Sequence, residues 1–209
     1  MKRARTTEAK DERRNALLAA ALDTFFDHGF AAARMDEIAA RAGVSKGALY
    51  LYFDSKEALF KALITSLAMP NLDRIEAIAA AASSVAEALN GLAAYAPTMI
   101  RHSNIPRLMK VMIGDSHLFP EIVADYRTRI LDRVLGALTL MLDRAKQRGE
   151  IATENPALTA RLVIAPILFS GIWQAMFSAT PGAEVDLKSL FAMHADFMIR
   201  ALSPTGAEQ

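Results

Sequence analysis

The stretch from Arg34 to Phe53, RMDEIAARAGVSKGALYLYF, constrains the fold more than any other part of the chain. Met35, Ile38, Ala39 and Ala42 recur at i, i+3, i+4 and i+7, the buried face of a short helix. Gly43 follows, the residue best suited to the left-handed conformation that ends a helix and turns the chain. Ser45 then offers a side-chain oxygen to the free N–H groups of a second helix. Val44 before that cap and Leu49 inside the helix have the spacing of a hydrophobic staple. A helix, a glycine turn and a capped second helix form the helix-turn-helix arrangement, whose second helix can lie in a DNA major groove.

The second helix divides into two faces. Leu49 and Phe53, four apart, join Val44 in the core, leaving Lys46, Gly47, Tyr50 and Leu51 on the opposite side. That opposite face suits a groove: the ammonium pairs with phosphate, glycine allows close approach, and Leu51 packs on a thymine methyl group. An ordinary helical hairpin inside a bundle is the plainer reading of the same pattern.

At 209 residues, 53% of them hydrophobic, the chain can bury a sizeable core in one or two domains. Its 24 basic and 23 acidic residues nearly cancel, so any nucleic-acid contact must be local. The absence of cysteine excludes disulfides and thiol chemistry. Scarce glycine and proline beside abundant alanine and leucine point to an all-α fold. The N-terminus is charged, with no apolar core and cleavage site behind it, and a cytoplasmic protein is expected.

GVSKGALYLYFDSKEALF, preceded by MDEIAARAG and by ALLAAALDTFFDHGF, resembles the N-terminal domain of the tetracycline-repressor (TetR) family of bacterial transcription regulators, over roughly Arg13 to Leu63. The resemblance implies a three-helix head on a larger helical-bundle body that dimerises through its last two long helices. It also implies that Tyr50, Tyr52 and Lys56 grip the DNA backbone, while Lys46 and Gly47 reach the bases. Just before Met35 the family commonly has Thr or Ser. Here Arg34 loses that cap oxygen and gains a longer phosphate binder. Ser45, Leu51 and Arg34 complete the expected DNA-binding set.

Four segments are expected: a flexible basic arm (1–10), the DNA-binding domain (11–65, helix-turn-helix about 34–53), a ligand-binding and dimerisation domain (66–203) and a tail (204–209). For the arm, with Lys2, Arg3, Arg5 and Lys10, a solvated end and a DNA-contacting arm are equally good readings. A first helix is expected over Asp11 to Asp27, with Leu18, Leu22, Phe25 and Phe26 as its stripe, Gly29 closing it and Phe30 dropping into the core. Asp54 or Ser55 caps the next helix, which Pro70 should kink or end. Lys56 at that N-terminus has the makings of a phosphate site.

Beyond Asn71 the sequence turns alanine-rich. Ser83 or Ser84, Asn104 with Pro106, and Pro120 open successive helices, the last running to about Arg148. Asn155-Pro156 opens ALTARLVIAPILFSGIWQAMF, apolar nearly all round. Pro166, Ser170 and Gly171 and its short uninterrupted run argue against a membrane span. Burial between the monomer core and a second subunit accounts for it best. By resemblance this helix and the last one, roughly Asp186 to Leu202, form the dimer interface, with Ile167, Ser170, Gly171, Leu190, Phe191, His194, Phe197 and Met198 as its candidates.

The resemblance also implies an inducer site in the body. Tyr95, Met99, His102, Met109, Met112, His117, Phe169 and Trp173 are the candidates, and core filler is the plainer reading of any one of them. The four histidines are scattered, so neither a metal nor another cofactor is expected. No glycine-rich phosphate loop, G-x-S-x-G or H-E-x-x-H is present, so no enzyme is expected. The expectation is a homodimeric repressor on a palindromic double-stranded DNA operator, released by a small, mainly apolar molecule. The rival is a helical ligand-binding or scaffold protein whose hairpin never touches DNA.

Overall fold

The computed structural model describes residues 2–204, with side chains from Glu8 onward. Regular structure among the described residues is helical: α1 (Lys2–Ala32), α2 (Met35–Arg41), α3 (Lys46–Tyr50), α4 (Lys56–Ala81), α5 (Val85–His102), α6 (Ile105–Asp115), α7 (Pro120–Tyr126), α8 (Asp132–Gln147), α9 (Pro156–Phe177) and α10 (Leu187–Leu202). A 3-10 turn (Ser116–Leu118) precedes α7, and a π-helical turn (Arg127–Leu131) joins α7 to α8.

The chain forms two compact units, Met1–Leu67 with Arg107–Asp125, and Ala68–Pro106 with Tyr126–Gln209. The first unit therefore takes in a segment, 107–125, that the sequence reading assigns to the body. Nothing local in that segment announces this, because the contacts that bind it are made with residues some 85 positions away.

In the first unit, α1 begins at Lys2 instead of near Asp11. Residues 2–10 hold no breaker and several good helix formers, so the helix propagates through them. The side chains of Lys2, Arg3 and Arg5 lie outside the described residues, as do positions 205–209 of the tail. Gly29 kinks α1 and does not close it: its φ of 78° and ψ of 165° belong to glycine alone. Past the kink Phe30 does drop into the core, where it meets Phe25, Phe60 and Phe119 at ring-centroid distances of 5.4, 5.1 and 4.9 Å. Such tilted and edge-on aromatic pairs add about 0.5–1.5 kcal/mol each beyond their buried area. Ser55, not Asp54, caps α4 by accepting the Ala58 N–H at 3.1 Å. Pro70 neither ends α4 nor sits at its boundary, for the helix continues to Ala81 with Pro70 on its exposed side.

The second unit packs α10 and α9 on α5, and α8 on α9. Its core includes Leu72, Leu89, Leu92, Leu138, Leu142 and Val163. Two expected caps are in place, Ser84 accepting from Glu87 N–H (3.1 Å) and Asn155 from Leu158 N–H (3.0 Å), and Asp186 caps α10 by accepting from Ser189 N–H (3.2 Å). Helix α9 has the length and hydropathy to cross a membrane, with a mean of 1.5 over eighteen residues, yet only 28% of that window is buried in the protein. It is apolar on two faces: one enters the core and a second faces outward.

Candidate nucleic-acid interface

The geometry of the reading helix follows from three local devices. The first is the end of α2. Val44 N–H donates to Ala39 O at 3.0 Å and Gly43 N–H to Ala40 O at 3.1 Å, the paired bonds of a Schellman turn, with Gly43 at φ 68°. The second is the Ser45 cap, whose hydroxyl oxygen accepts the Ala48 N–H at 3.1 Å. The third is apolar anchorage: Met35, Ile38 and Ala39 of α2, Leu49 of α3 and Phe53 beyond it are buried, and Val44 is half-buried.

These devices leave Ser45, Lys46, Gly47, Tyr50 and Leu51 on an exposed face, with Leu51 85% exposed and Tyr52 half-buried beside it. A fully exposed leucine next to a lysine and a glycine is an interaction surface in search of a partner. A methyl group added at Gly47 meets nothing within 4 Å, so no intramolecular packing requires a glycine there. Arg34, at the cap position of α2, makes no cap hydrogen bond. Its guanidinium lies instead on Asp36, Nε to Oδ1 at 3.2 Å and Nη2 to Oδ2 at 2.9 Å. That guanidinium holds the Asp36 carboxyl below its ordinary pKa, with a smaller contribution from Lys46. An exposed pair of this kind is screened by solvent and weak, so a phosphate can compete for the arginine.

Lys56 has intramolecular partners that its local sequence does not announce. Its ammonium donates to the carbonyl oxygens of Phe30, Ala31 and Ala33 at 2.6, 3.0 and 3.1 Å and lies 4.6 Å from the Phe30 ring centroid. All three of its protons are therefore engaged at the end of α1. The positive charge that looks like a phosphate binder in sequence is a cap for backbone carbonyls in the fold.

The expected ligand-site residues are divided between the two units. Met109, Met112 and His117 belong to the first unit, while Tyr95, Met99, His102, Phe169 and Trp173 belong to the second. Met99 and Met112 are buried filler, His102 and His117 are exposed, and the Tyr95 hydroxyl donates to Asn71 Oδ1 at 2.7 Å. Phe169 and Trp173 share a cavity of about 240 Å³ lined also by Ser170, Gln174, Val185, Leu187 and Leu190. The Trp173 indole N–H donates to Ala183 O at 2.8 Å on its flank.

The expected dimer residues also divide. Ser170, Gly171 and Phe191 are buried in their own protomer, Ile167 and Leu190 pack on that core, Met198 is half-buried, and His194 Nε2 sits 3.2 Å from Val163 O. Of the set, Phe197 stands clear. The exposed large apolar residues of these two helices include Leu158, Leu162, Leu168, Phe169 and Met176 of α9 and Met193 of α10; Leu158, Leu162, Phe169 and Met176 line up along α9. Their spacing of four, seven and seven along α9 is a second helical stripe, about 100° round the helix from Val163 and Ser170.

A capped helix-turn-helix that presents a basic and apolar face, carried by an all-helical chain, defines a DNA-binding protein of the helix-turn-helix class. Two family models agree with that class: "bacterial regulatory proteins, tetR family" over residues 17–63, and "tetracyclin repressor-like, C-terminal domain" over residues 79–193. The HTH-type transcriptional activator FasR of Mycolicibacterium smegmatis is 56% identical over 55 residues, which are 26% of this chain and only 25% of FasR. The HTH-type regulator YdeS of Bacillus subtilis is 30% identical over 156 residues, 74% of this chain and 75% of that one. SmeT, the repressor of the Stenotrophomonas maltophilia multidrug efflux pump SmeDEF, shares the fold at a TM-score of 0.69 and 21% identity, over 92% of this chain and 91% of SmeT. The chain belongs to the TetR family of bacterial transcriptional regulators.

Proposed function

We propose that this protein is a one-component transcriptional repressor that binds a near-palindromic operator as a homodimer in the cytoplasm and leaves it when a small, mainly apolar molecule binds the body. The observation that carries the reading is the exposed face of α3. Ser45, Lys46, Gly47, Tyr50 and Leu51 are held outward by a glycine turn and a serine cap, with no partner of their own among the described residues beyond that cap. Lys46 and Gly47 serve the bases, Leu51 a thymine methyl, and Tyr50, Tyr52 and Arg34 the backbone.

The homodimer rests on the outward stripe of α9 with Met193 and Phe197 of α10. One helix-turn-helix reads few base pairs; a two-fold pair reads twice as many, with half-sites about 34 Å apart or a multiple of that. The apolar cavity beside Trp173 supports a small ligand of the same character. Release then works by differential affinity: the ligand favours a spacing of the two heads that no longer fits both half-sites.

The test is binding of the purified protein to the DNA flanking its own gene at two salt concentrations. Tight binding to one near-palindromic fragment, weakening as salt rises, is expected. Equal binding to all fragments, or none to any genomic fragment, refutes the reading and leaves a helical ligand-binding module.

A further inference from the structure

The kink in α1 leaves a single helical turn, Phe30 to Ala33, between Gly29 and the entry to α2, and both ends of that turn are held by charge. At its N-terminal end the Phe30 N–H, which the kink removes from the α1 hydrogen-bond ladder, donates to Asp115 Oδ2 at 2.5 Å. At its C-terminal end the ammonium of Lys56 takes the carbonyls of Phe30, Ala31 and Ala33. An anion at the amide end and a cation at the carbonyl end both match the dipole of the turn. The approach of Asp115 is close enough that a methyl on Gly29 would sit 3.0 Å from the same carboxylate oxygen. Glycine is thus required there by its positive φ, and a methyl would in addition press on the carboxylate.

Asp115 is the last residue of α6, within the segment 107–125 that returns to the first unit from the second. The same segment meets the straight part of α1 at two further places. Arg107 Nη2 pairs with Asp23 Oδ1 at 2.7 Å, and the cations of Arg107 and Lys110 lie 4.6 and 4.2 Å from the Phe26 ring centroid. Those contacts attach the segment to the straight part of α1. Asp115 is the residue of this segment that hydrogen-bonds, among the described residues, to the turn that sets the direction in which α2 and α3 leave α1, and Phe119 packs on the Phe30 ring of that turn at 4.9 Å.

We infer that Asp115 is a positioning residue for DNA reading: its carboxylate holds the Phe30–Ala33 turn, and with it the presentation of α3, so that loss of this carboxylate lowers operator affinity without touching the DNA face. The inference rests on the proposed function. It has a sign that separates it from simple electrostatics. Removing an acid from a DNA-binding head, by charge alone, strengthens binding to a polyanion. Loss of positioning weakens it.

The experiment compares Asp115→Ala, Asp115→Asn and Asp23→Ala with the unaltered protein by amide hydrogen exchange resolved at Phe30 and by anisotropy on the operator fragment at one salt concentration. Asp115→Ala is expected to speed exchange at Phe30 and to weaken operator binding at least tenfold. Asp115→Asn keeps an acceptor oxygen and loses less, and it carries the test if the alanine variant does not fold. Asp23→Ala, which cuts the Arg107 tether but leaves the turn alone, stays within about threefold. Unchanged or tighter binding by Asp115→Ala, or an equal loss in Asp23→Ala, overturns the inference while the operator reading stands. If the unaltered protein binds no DNA, the functional reading falls and the inference with it, and the exchange rate at Phe30 then reports only whether Asp115 holds the turn.

Discussion

Replacing Gly47 with alanine separates what α3 needs for folding from what it needs for binding. Gly47 lies in the first turn of α3 and has a negative φ, so alanine fits its backbone without strain. The added methyl meets no atom within 4 Å. Exchanging glycine for alanine in a helix stabilises it by about 0.5–1 kcal/mol, because less backbone freedom is lost on folding. In a chain of this size that raises Tm by roughly 1–4 °C. Binding should move the other way. If the α3 backbone approaches base edges at Gly47, a methyl there forces the helix outward and lengthens the contacts of Lys46 and Leu51, a cost of at least about 1.4 kcal/mol, or tenfold in Kd. A thermal melt and an anisotropy titration on the operator, run on one preparation, measure both quantities. A raised Tm with an unchanged Kd would refute the close approach and place Gly47 outside the interface. A lowered Tm would refute the reading of open space.

Three further outcomes follow from contacts described above. Lys56→Met should lower Tm by roughly 4–8 °C, since about 2 kcal/mol of charge-assisted hydrogen bonding at the end of α1 is lost; an unchanged melt with weaker DNA binding would restore Lys56 as a phosphate contact. Phe169→Glu and Leu162→Glu, on the outward face of α9, should leave the fold intact and convert the dimer to monomers in sedimentation equilibrium, and a dimer that persists would move the interface elsewhere. Acid should destabilise the protein through exposed carboxylates held below their ordinary pKa in the fold: Asp27 by Arg41, Asp36 by Arg34, Glu87 by Ser83, Glu150 by Arg148 and Asp186 by Ser189. A depressed folded pKa gives stability that is complete above the unfolded value and lost as pH falls through the folded one, so the urea midpoint should hold from pH 7 to about 5 and decline below about 4. A midpoint that rises on acidification would contradict those contacts.

What the sequence discloses is what is local. The stripe of α2, the Gly43 turn, the Ser45 cap and the Asn155-Pro156 start of α9 each lie within four residues of their own cause, and each is found where the pattern puts it. Lys56 and Asp115 were not readable in this way, because their partners lie 23 to 85 residues away. A lysine at a helix start has the same local signature whether it holds phosphate or a neighbouring carbonyl. Gly29 shows the intermediate case. Its position signals a break, but the carboxylate that makes it a kink and not an end comes from another helix. In α9 the apolar composition was plain, and it was the assignment of faces that failed: the small residues Ser170 and Gly171 turned inward and Phe169 outward.

The reading head is not a contiguous piece of chain. Phe119, Asp115 and Arg107, which complete its aromatic core and tie down α1, come from a segment encoded about forty codons beyond Leu67. Exchange of operator specificity between relatives by recombination at one breakpoint would therefore transplant α1 to α3 without the residues that close around Phe30 and Phe60. A chimaera cut after Leu67 inherits a foreign lid on its aromatic core, whereas one that also carries residues 107–125 keeps its own. New specificities in such a molecule are more accessible by substitutions on the exposed face of α3, where nothing in the protein resists a change of side chain at Gly47 or Leu51.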